Sequence, residues 1–210
     1  MDHSLKASEI FGKYALEFEQ KYMDVSQYSM DIDLFCSNIN AESPYILDIA
    51  CGPGNIIQYI QSKHLNYNIL GLDLSDKMIQ IANRNNPKSQ FLVLDARNLN
   101  VINQKFDGMI CSFLLPYLDE NETQNLLSNI YNHLNINGIL YITTILGAYT
   151  DSGLQINSKG DEVYMFFYEQ ETIINYLKDL RFEIIHTRDI TTINSKNVYE
   201  NELIVVAKKI

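Results

Sequence analysis

The chain is poor in the residues that build several kinds of site. Its 210 residues hold three cysteines, Cys36, Cys51 and Cys111, widely spaced and in no CxxC or Cys/His cluster. That excludes a disulfide framework and speaks against a zinc or other metal site, so a reducing, cytoplasmic setting is expected. Basic side chains are also few: 16 Lys and Arg stand against 26 Asp and Glu, a net charge of -10. They are scattered, apart from the terminal pair Lys208 and Lys209, which reads as solvating the end of a strand. Such a field repels phosphate backbones, so no nucleic-acid partner is expected. No apolar run is long enough to span a membrane; the most apolar, "GILYITTILGAY", is broken by threonines and reads as a buried strand. The first twenty residues carry early charges and no apolar stretch of the kind a secretory signal needs. No long polar or Pro/Gly-rich tract reads as a linker.

What remains is an ordinary folding composition, 46% hydrophobic and 20% charged, with enough chain to bury one full core. From residue 44 to about 146, short β-rich runs alternate with helical patterns, the mark of a parallel sheet with crossover helices. Strands are expected at Tyr45 to Ala50, Asn68 to Asp73, Gln90 to Asp95, Phe106 to Ser112 and Gly138 to Ile145. Helices are expected at Asn55 to Lys63, Asp76 to Asn85 and Glu120 to Leu134. One or two helices should precede this core, with Ile10, Tyr14, Phe18 and Tyr22 at helical spacing. After it come an aromatic strand around "YMFFY", a helix, and two strands joined near Asn194 to Lys196, which makes them antiparallel. The first three strands end in aspartates, so Asp48, Asp73 and Asp95 should share the carboxyl rim where open α/β sheets bind ligands.

The stretch "LDIACGPGNI" runs from a strand through Gly52 and Gly54 into a helix. Glycines there let a ligand approach the backbone and the free N–H groups of the helix start. A dinucleotide usually wants a third small residue three positions on, and Ile57 is not one. Asp48 would also be adverse beside a pyrophosphate but suits an ammonium, which favours a nucleoside with a cationic amino-acid tail.

"LDIACGPG", "ILGLDLS", "FLVLDARNL" and "FDGMICSFLLPYLDE" together resemble the ordered motif series of the class I S-adenosylmethionine-dependent methyltransferases, small-molecule type, over residues 11 to about 145. The resemblance implies a Rossmann-like, mostly parallel seven-stranded sheet with an antiparallel final strand, helices on both faces and an N-terminal helical lid. It divides the single domain into a lid (1–43), a cofactor-binding core (44–146) and a substrate-side excursion with the final strands (147–210). It places Asp48, Ala50, Cys51, Gly52 and Gly54 around the methionine part of the cofactor, and Asp73 on the ribose hydroxyls. Asp95 and the Ala96 N–H would read adenine between Leu74 and Met78, with Ser112 and Phe113 under the sulfonium and Tyr14 as a lid tyrosine. Where the family usually has glycine, this chain has Ala50, Asn137 and Arg181.

The implied reaction is in-line transfer of a methyl group from S-adenosylmethionine, leaving S-adenosylhomocysteine, to a small molecule. A hydroxyl or carbon acceptor would need a base, for which Tyr117, Tyr149 and Tyr168 are candidates beside Tyr14. Of the histidines, His3 lies in a terminus expected to be mobile, His64 and His133 near helix ends and His186 in a late strand; none reads as a base. Alternatives are a protein or RNA methyltransferase, a non-catalytic partner subunit that keeps the pocket, and an NAD-dependent oxidoreductase.

Overall fold

The apolar runs form the middle of one sheet. A computed structural model describes residues 2–157, 159–193 and 199–210. In it β1 (Tyr45–Ile49), β2 (Asn68–Asp73), β3 (Gln90–Val93), β4 (Phe106–Ser112) and β5 (Leu134–Ile145) run parallel. β8 (Phe182–Ile193) and β9 (Tyr199–Lys209) complete a seven-stranded sheet in the order β3-β2-β1-β4-β5-β9-β8, with β9 antiparallel to both neighbours. The turn expected at Asn194 to Lys196 lies outside the described residues, but the antiparallel pairing it implied is present. β6 (Gly153–Ile156) and β7 (Glu162–Met165) form a separate antiparallel hairpin.

Strands buried on both faces need helices on both faces. Leu47, Met109, Cys111 and Leu140 face α6 (Glu120–His133) and α7 (Gln170–Asp179), which contribute Leu126, Leu127, Ile130, Ile173 and Leu177. Ile46, Ile110, Ile139 and Tyr141 face α3 (Ser29–Asn38), α4 (Asn55–Lys63) and α5 (Asp76–Asn85) through Phe35, Ile57 and Ala82. A reciprocal cap starts α6: the Asp119 carboxylate accepts from the Glu122 N–H at 2.8 Å, and Glu122 accepts from the Asp119 N–H at 3.0 Å.

Several expectations are corrected. Three helices rather than one or two precede β1: α1 (His3–Lys13), α2 (Ala15–Tyr22) and α3, with α1 and α2 parted at Tyr14, whose φ of -112° and ψ of 22° are non-helical. His3 is ordered at the start of α1, its ring 4.3 Å from that of Tyr164. β3 stops at Val93, since Asp95 turns to cap the short 3-10 helix Ala96–Val101. β5 starts early, because Leu134 pairs with Phe106 before an irregularity that ends where Ile139 meets Gly108. Of "YMFFY" only Tyr164 and Met165 lie in a strand; Phe166 and Tyr168 are core residues. Lys209 does not solvate a strand end. It is buried, and its ammonium donates to the carbonyls of Tyr131 at 2.6 Å and Leu134 at 2.9 Å, closing the carboxyl end of α6.

Candidate functional site

β1 ends at Ile49 and α4 begins at Asn55, and the chain between them turns on three left-handed residues: Ala50 (φ 55°), Gly52 (φ 53°) and Gly54 (φ 79°). Gly54 has to be glycine for a second reason: a Cβ there would stand 2.3 Å from the Nδ2 of Asn86. That buried amide donates to the Gly54 carbonyl at 3.0 Å and pins the turn to α5. Ala50, Asn137 (φ 64°) and Arg181 (φ 64°) take the left-handed conformation with side chains attached, so all three departures from glycine fall where glycine's freedom is used.

The rim carries one buried carboxylate, Asp48, and one half-buried, Asp73. Asp48 is 1% exposed, and neither carboxylate oxygen has a hydrogen-bond partner. Burial, and then the neighbouring charge of Asp73, push its carboxyl well above the ordinary aspartate range. Asp73 ends β2 and ties it to the turn: its Oδ2 accepts from the Gly52 N–H at 2.9 Å and its Oδ1 from the Ser75 N–H at 2.8 Å. Burial raises its carboxyl too, against the pull of those N–H groups. The Ser75 hydroxyl caps α5, which leaves Asp73 free of that duty. Cys51 is buried, and burial holds its thiol far above the range in which thiolates form.

Asp95 lies two residues past the end of β3, on the same rim. Its carboxylate accepts from the Arg97 N–H at 2.9 Å and from the Arg97 guanidinium, with Nη2 at 2.6 Å from Oδ2. The same guanidinium reaches Glu122 at 2.9 Å and Asp2, just ahead of α1, at 2.7 Å. Sequence reasoning missed this junction, since Asp2 and Arg97 are 95 residues apart.

The N-terminal helices cover the turn. The Phe18 ring of α2 lies 3.9 Å from where a Gly52 Cβ would sit. Met78 is buried with Ala15 and Ile81 against Phe11 and Phe18, so this cofactor candidate now packs on the covering helices. Leu74 follows Asp73 and is half-buried, and Ala96 follows Asp95 and is 8% exposed. Tyr14 donates to Asp161 at 2.6 Å, and Lys13 pairs with Asp161 at 2.8 Å, tying the α1–α2 break to the segment between β6 and β7.

Ser112 ends β4 with its hydroxyl 2.6 Å from that of Thr143, and Phe113 follows at φ 53°, donating its N–H to the Thr143 carbonyl at 2.8 Å. The tyrosine candidates separate. Tyr168 is 1% exposed; its hydroxyl donates to the Leu118 carbonyl at 2.7 Å and meets the Thr123 hydroxyl at 3.1 Å, and burial raises it. Tyr117 packs edge-on to Phe11 at 5.2 Å, and burial raises its hydroxyl as well. Tyr149 is 44% exposed and lies against Phe166 and Tyr168. The other histidines hold structure: His133 bridges the Asn129 and Ile102 carbonyls, His64 stacks on Tyr67, and His186 meets Asp31 at 3.1 Å.

Among the described residues no group of three or more His, Cys, Asp or Glu is arranged to hold a metal ion, and no helix is long and apolar enough to cross a membrane.

An unpartnered buried carboxylate beside a glycine turn has the chemistry to meet the ammonium of an amino-acid tail. Residues 46–138 match the family model described as Methyltransferase domain. A protein of Invertebrate iridescent virus 6, provisionally named methyltransferase 235L, is 29% identical over 171 residues, 77% of this chain and 63% of its own length. The tRNA (guanine-N(7)-)-methyltransferase of Clostridium perfringens is 26% identical over 161 residues, 72% of this chain and 69% of its own length. The chain thus spans about two thirds of the length of these relatives. Magnesium protoporphyrin IX methyltransferase from Synechocystis PCC 6803, solved with S-adenosylhomocysteine bound, superposes with a TM-score of 0.73 at 16% identity, covering 100% of both chains. Residues 46–138 match a methyltransferase-domain family model, and the whole chain has the Rossmann-like fold seen in S-adenosylmethionine-dependent methyltransferases of known structure.

Proposed function

We propose that the protein transfers the methyl group of S-adenosylmethionine to a small-molecule acceptor. The observation that carries this reading is Asp48: two carboxylate oxygens, buried and without partners, one turn from Gly52 and Gly54. An uncompensated buried carboxylate is costly, and a ligand's ammonium group would remove that cost, whereas a pyrophosphate would add to it. The cofactor supplies an activated methyl on a sulfonium, so the chain's own task is to hold the parts in line and keep water out.

In this reading Asp48, Ala50, Cys51, Gly52 and Gly54 surround the amino-acid end. The Asp73 carboxylate has about four acceptor positions and uses two on backbone N–H groups, which leaves capacity for the ribose hydroxyls. Asp95 and the Ala96 N–H serve adenine between Leu74 and Met78, with Arg97 sharing the Asp95 oxygens. Ser112 and Phe113 lie beneath the sulfonium, and Tyr14 acts in the lid through Asp161. Residues 1–43 form that lid, and residues 147–210 supply the acceptor side.

The acceptor is read as small because the α1–α2 helices close over the turn and the net charge of -10 opposes a nucleic acid, even though one relative is named for tRNA. The test is to incubate the protein with methyl-labelled S-adenosylmethionine and a cell extract divided into low-mass, RNA and protein fractions. Label is expected in the low-mass fraction; label confined to RNA or protein would overturn the small-molecule reading.

A further inference from the structure

Building on the methyl-transfer reading, we infer that the acceptor is an amine that arrives protonated, and that Tyr28 and Glu202 hold its ammonium group and take its proton. Glu202 lies on β9 opposite Ile145, at the carboxyl end of β5 and so on the ligand rim. It is 6% exposed, and among the described residues both of its partners are hydroxyls: Tyr28 donates to Oε2 at 2.8 Å and Thr192 to Oε1 at 2.8 Å. Neither brings a positive charge.

Tyr28 comes from the short 3-10 turn Ser26–Tyr28 between α2 and α3, and its ring meets that of Phe113 edge-on at 5.9 Å. Phe113 follows the last residue of β4, next to β1 in the sheet. The pair is thus one ring away from the position assigned to the sulfonium. A second buried group points the same way. The Tyr141 hydroxyl, in a side chain 1% exposed, has no hydrogen-bond partner, and the charged and polar groups that bear on it are Asp31, Tyr28, Arg188 and Glu202.

The surroundings select the charge of the guest. Tyr22 of α2 bears on Tyr28, and Tyr22 and Glu200 bear on Tyr117. Among the described residues the nearby cation, Arg188, is committed to Asp31, with its Nε 3.1 Å from Oδ1, and to the Gln27 carbonyl at 2.8 Å; His186 also meets Asp31. Aromatic rings beside a carboxylate with no cationic partner recognise an ammonium and reject a carboxylate or phosphate.

The geometry also gives a proton path. Tyr28 uses its hydrogen on Glu202 and one oxygen lone pair on the Gln27 side chain, which leaves the second lone pair to accept an N–H of the guest. The ammonium proton passes to the Tyr28 oxygen as the Tyr28 proton passes to Glu202, giving a neutral amine and a carboxylic acid. The amine lone pair forms the N–CH3 bond, the S–CH3 bond breaks with its electron pair left on sulfur, and the N-methylammonium product and the thioether remain. Glu202 then releases its proton to solvent. Burial raises the Glu202 carboxyl above the ordinary glutamate value of 4.5, which makes it the better proton acceptor. Burial and the Glu202 charge both raise Tyr28, so it serves as a neutral relay rather than a phenolate.

The test uses three matched probes, benzylammonium, benzyl alcohol and benzoate, titrated calorimetrically into the protein with and without saturating S-adenosylhomocysteine. Benzylammonium is expected to bind at least about tenfold more tightly than either other probe. Glu202→Gln is expected to abolish the preference and Tyr28→Phe to reduce it, with S-adenosylhomocysteine affinity unchanged in both. For the wild type the preference should fade on acidification as Glu202 becomes protonated. Equal binding of the three probes, tighter binding of benzoate, no binding of benzylammonium, or an undiminished preference in Glu202→Gln would overturn the inference. Failure of S-adenosylhomocysteine to bind would instead strike the methyl-transfer reading, and the titrations without it keep the two failures apart.

Discussion

Replacing Asp48 by asparagine should make the free protein more stable, increasingly so as the pH rises. The carboxyl is 1% exposed, its oxygens have no partner, and burial and then Asp73 raise it above the ordinary value of 3.8. A raised carboxyl holds its proton in the folded state after the unfolded chain has lost it. Stability then falls with rising pH from near 4 until the folded group itself ionises, by up to about 1.4 kcal/mol per pH unit. Asparagine has no such term and leaves its polar atoms no better paired than the acid does. The two proteins should therefore melt together near pH 4 and diverge above it in favour of the variant, about 1 kcal/mol of difference being worth roughly 2 to 4 °C for a chain of this length. The assay is thermal unfolding of both proteins from pH 4 to pH 8, with S-adenosylhomocysteine affinity measured alongside. The variant should bind that ligand at least about tenfold more weakly, having lost the partner of its ammonium. A stability difference independent of pH, or a wild type that gains on the variant as pH rises, would refute the reasoning.

Asp73→Ala should weaken S-adenosylhomocysteine binding by roughly 1 to 3 kcal/mol in calorimetry, and should also lower the melting temperature, because the Gly52 and Ser75 N–H groups lose their acceptor. Ala50→Gly should raise the melting temperature: a left-handed alanine costs about 1 to 2 kcal/mol, and glycine returns roughly half of that gain as chain entropy. Arg97→Gln should speed amide exchange in His3–Lys13, because Asp2, Asp95 and Glu122 lose their common partner; unchanged exchange would show that the junction does not hold the lid.

Most of the sheet was legible because its signals are local. β2, β4, α4 and α5 fall on their expected bounds, since each is a single apolar period bounded by a turn residue or a cap. The glycine turn and the three rim aspartates were legible for the same reason. The break at Tyr14 was not, because no proline marks it and the partner that holds it, Asp161, is 147 residues away. Likewise nothing local tells that Tyr28 will meet Glu202 across 174 residues, or that Lys209 will turn inward to close α6. Such pairs are set by which strands become neighbours, and the sheet order decides that only after the chain has folded.

The central claim, a pocket built for a cationic sulfur nucleoside, is tested most directly by thermal unfolding with excess S-adenosylmethionine, S-adenosylhomocysteine, NAD or NADP. At about 100 times its dissociation constant a ligand adds roughly 2.7 kcal/mol, which here should lift the midpoint by roughly 5 to 10 °C. The account predicts that rise for the two sulfur nucleosides and none for NAD or NADP. A rise with the dinucleotides alone, or with no ligand at all, would contradict it.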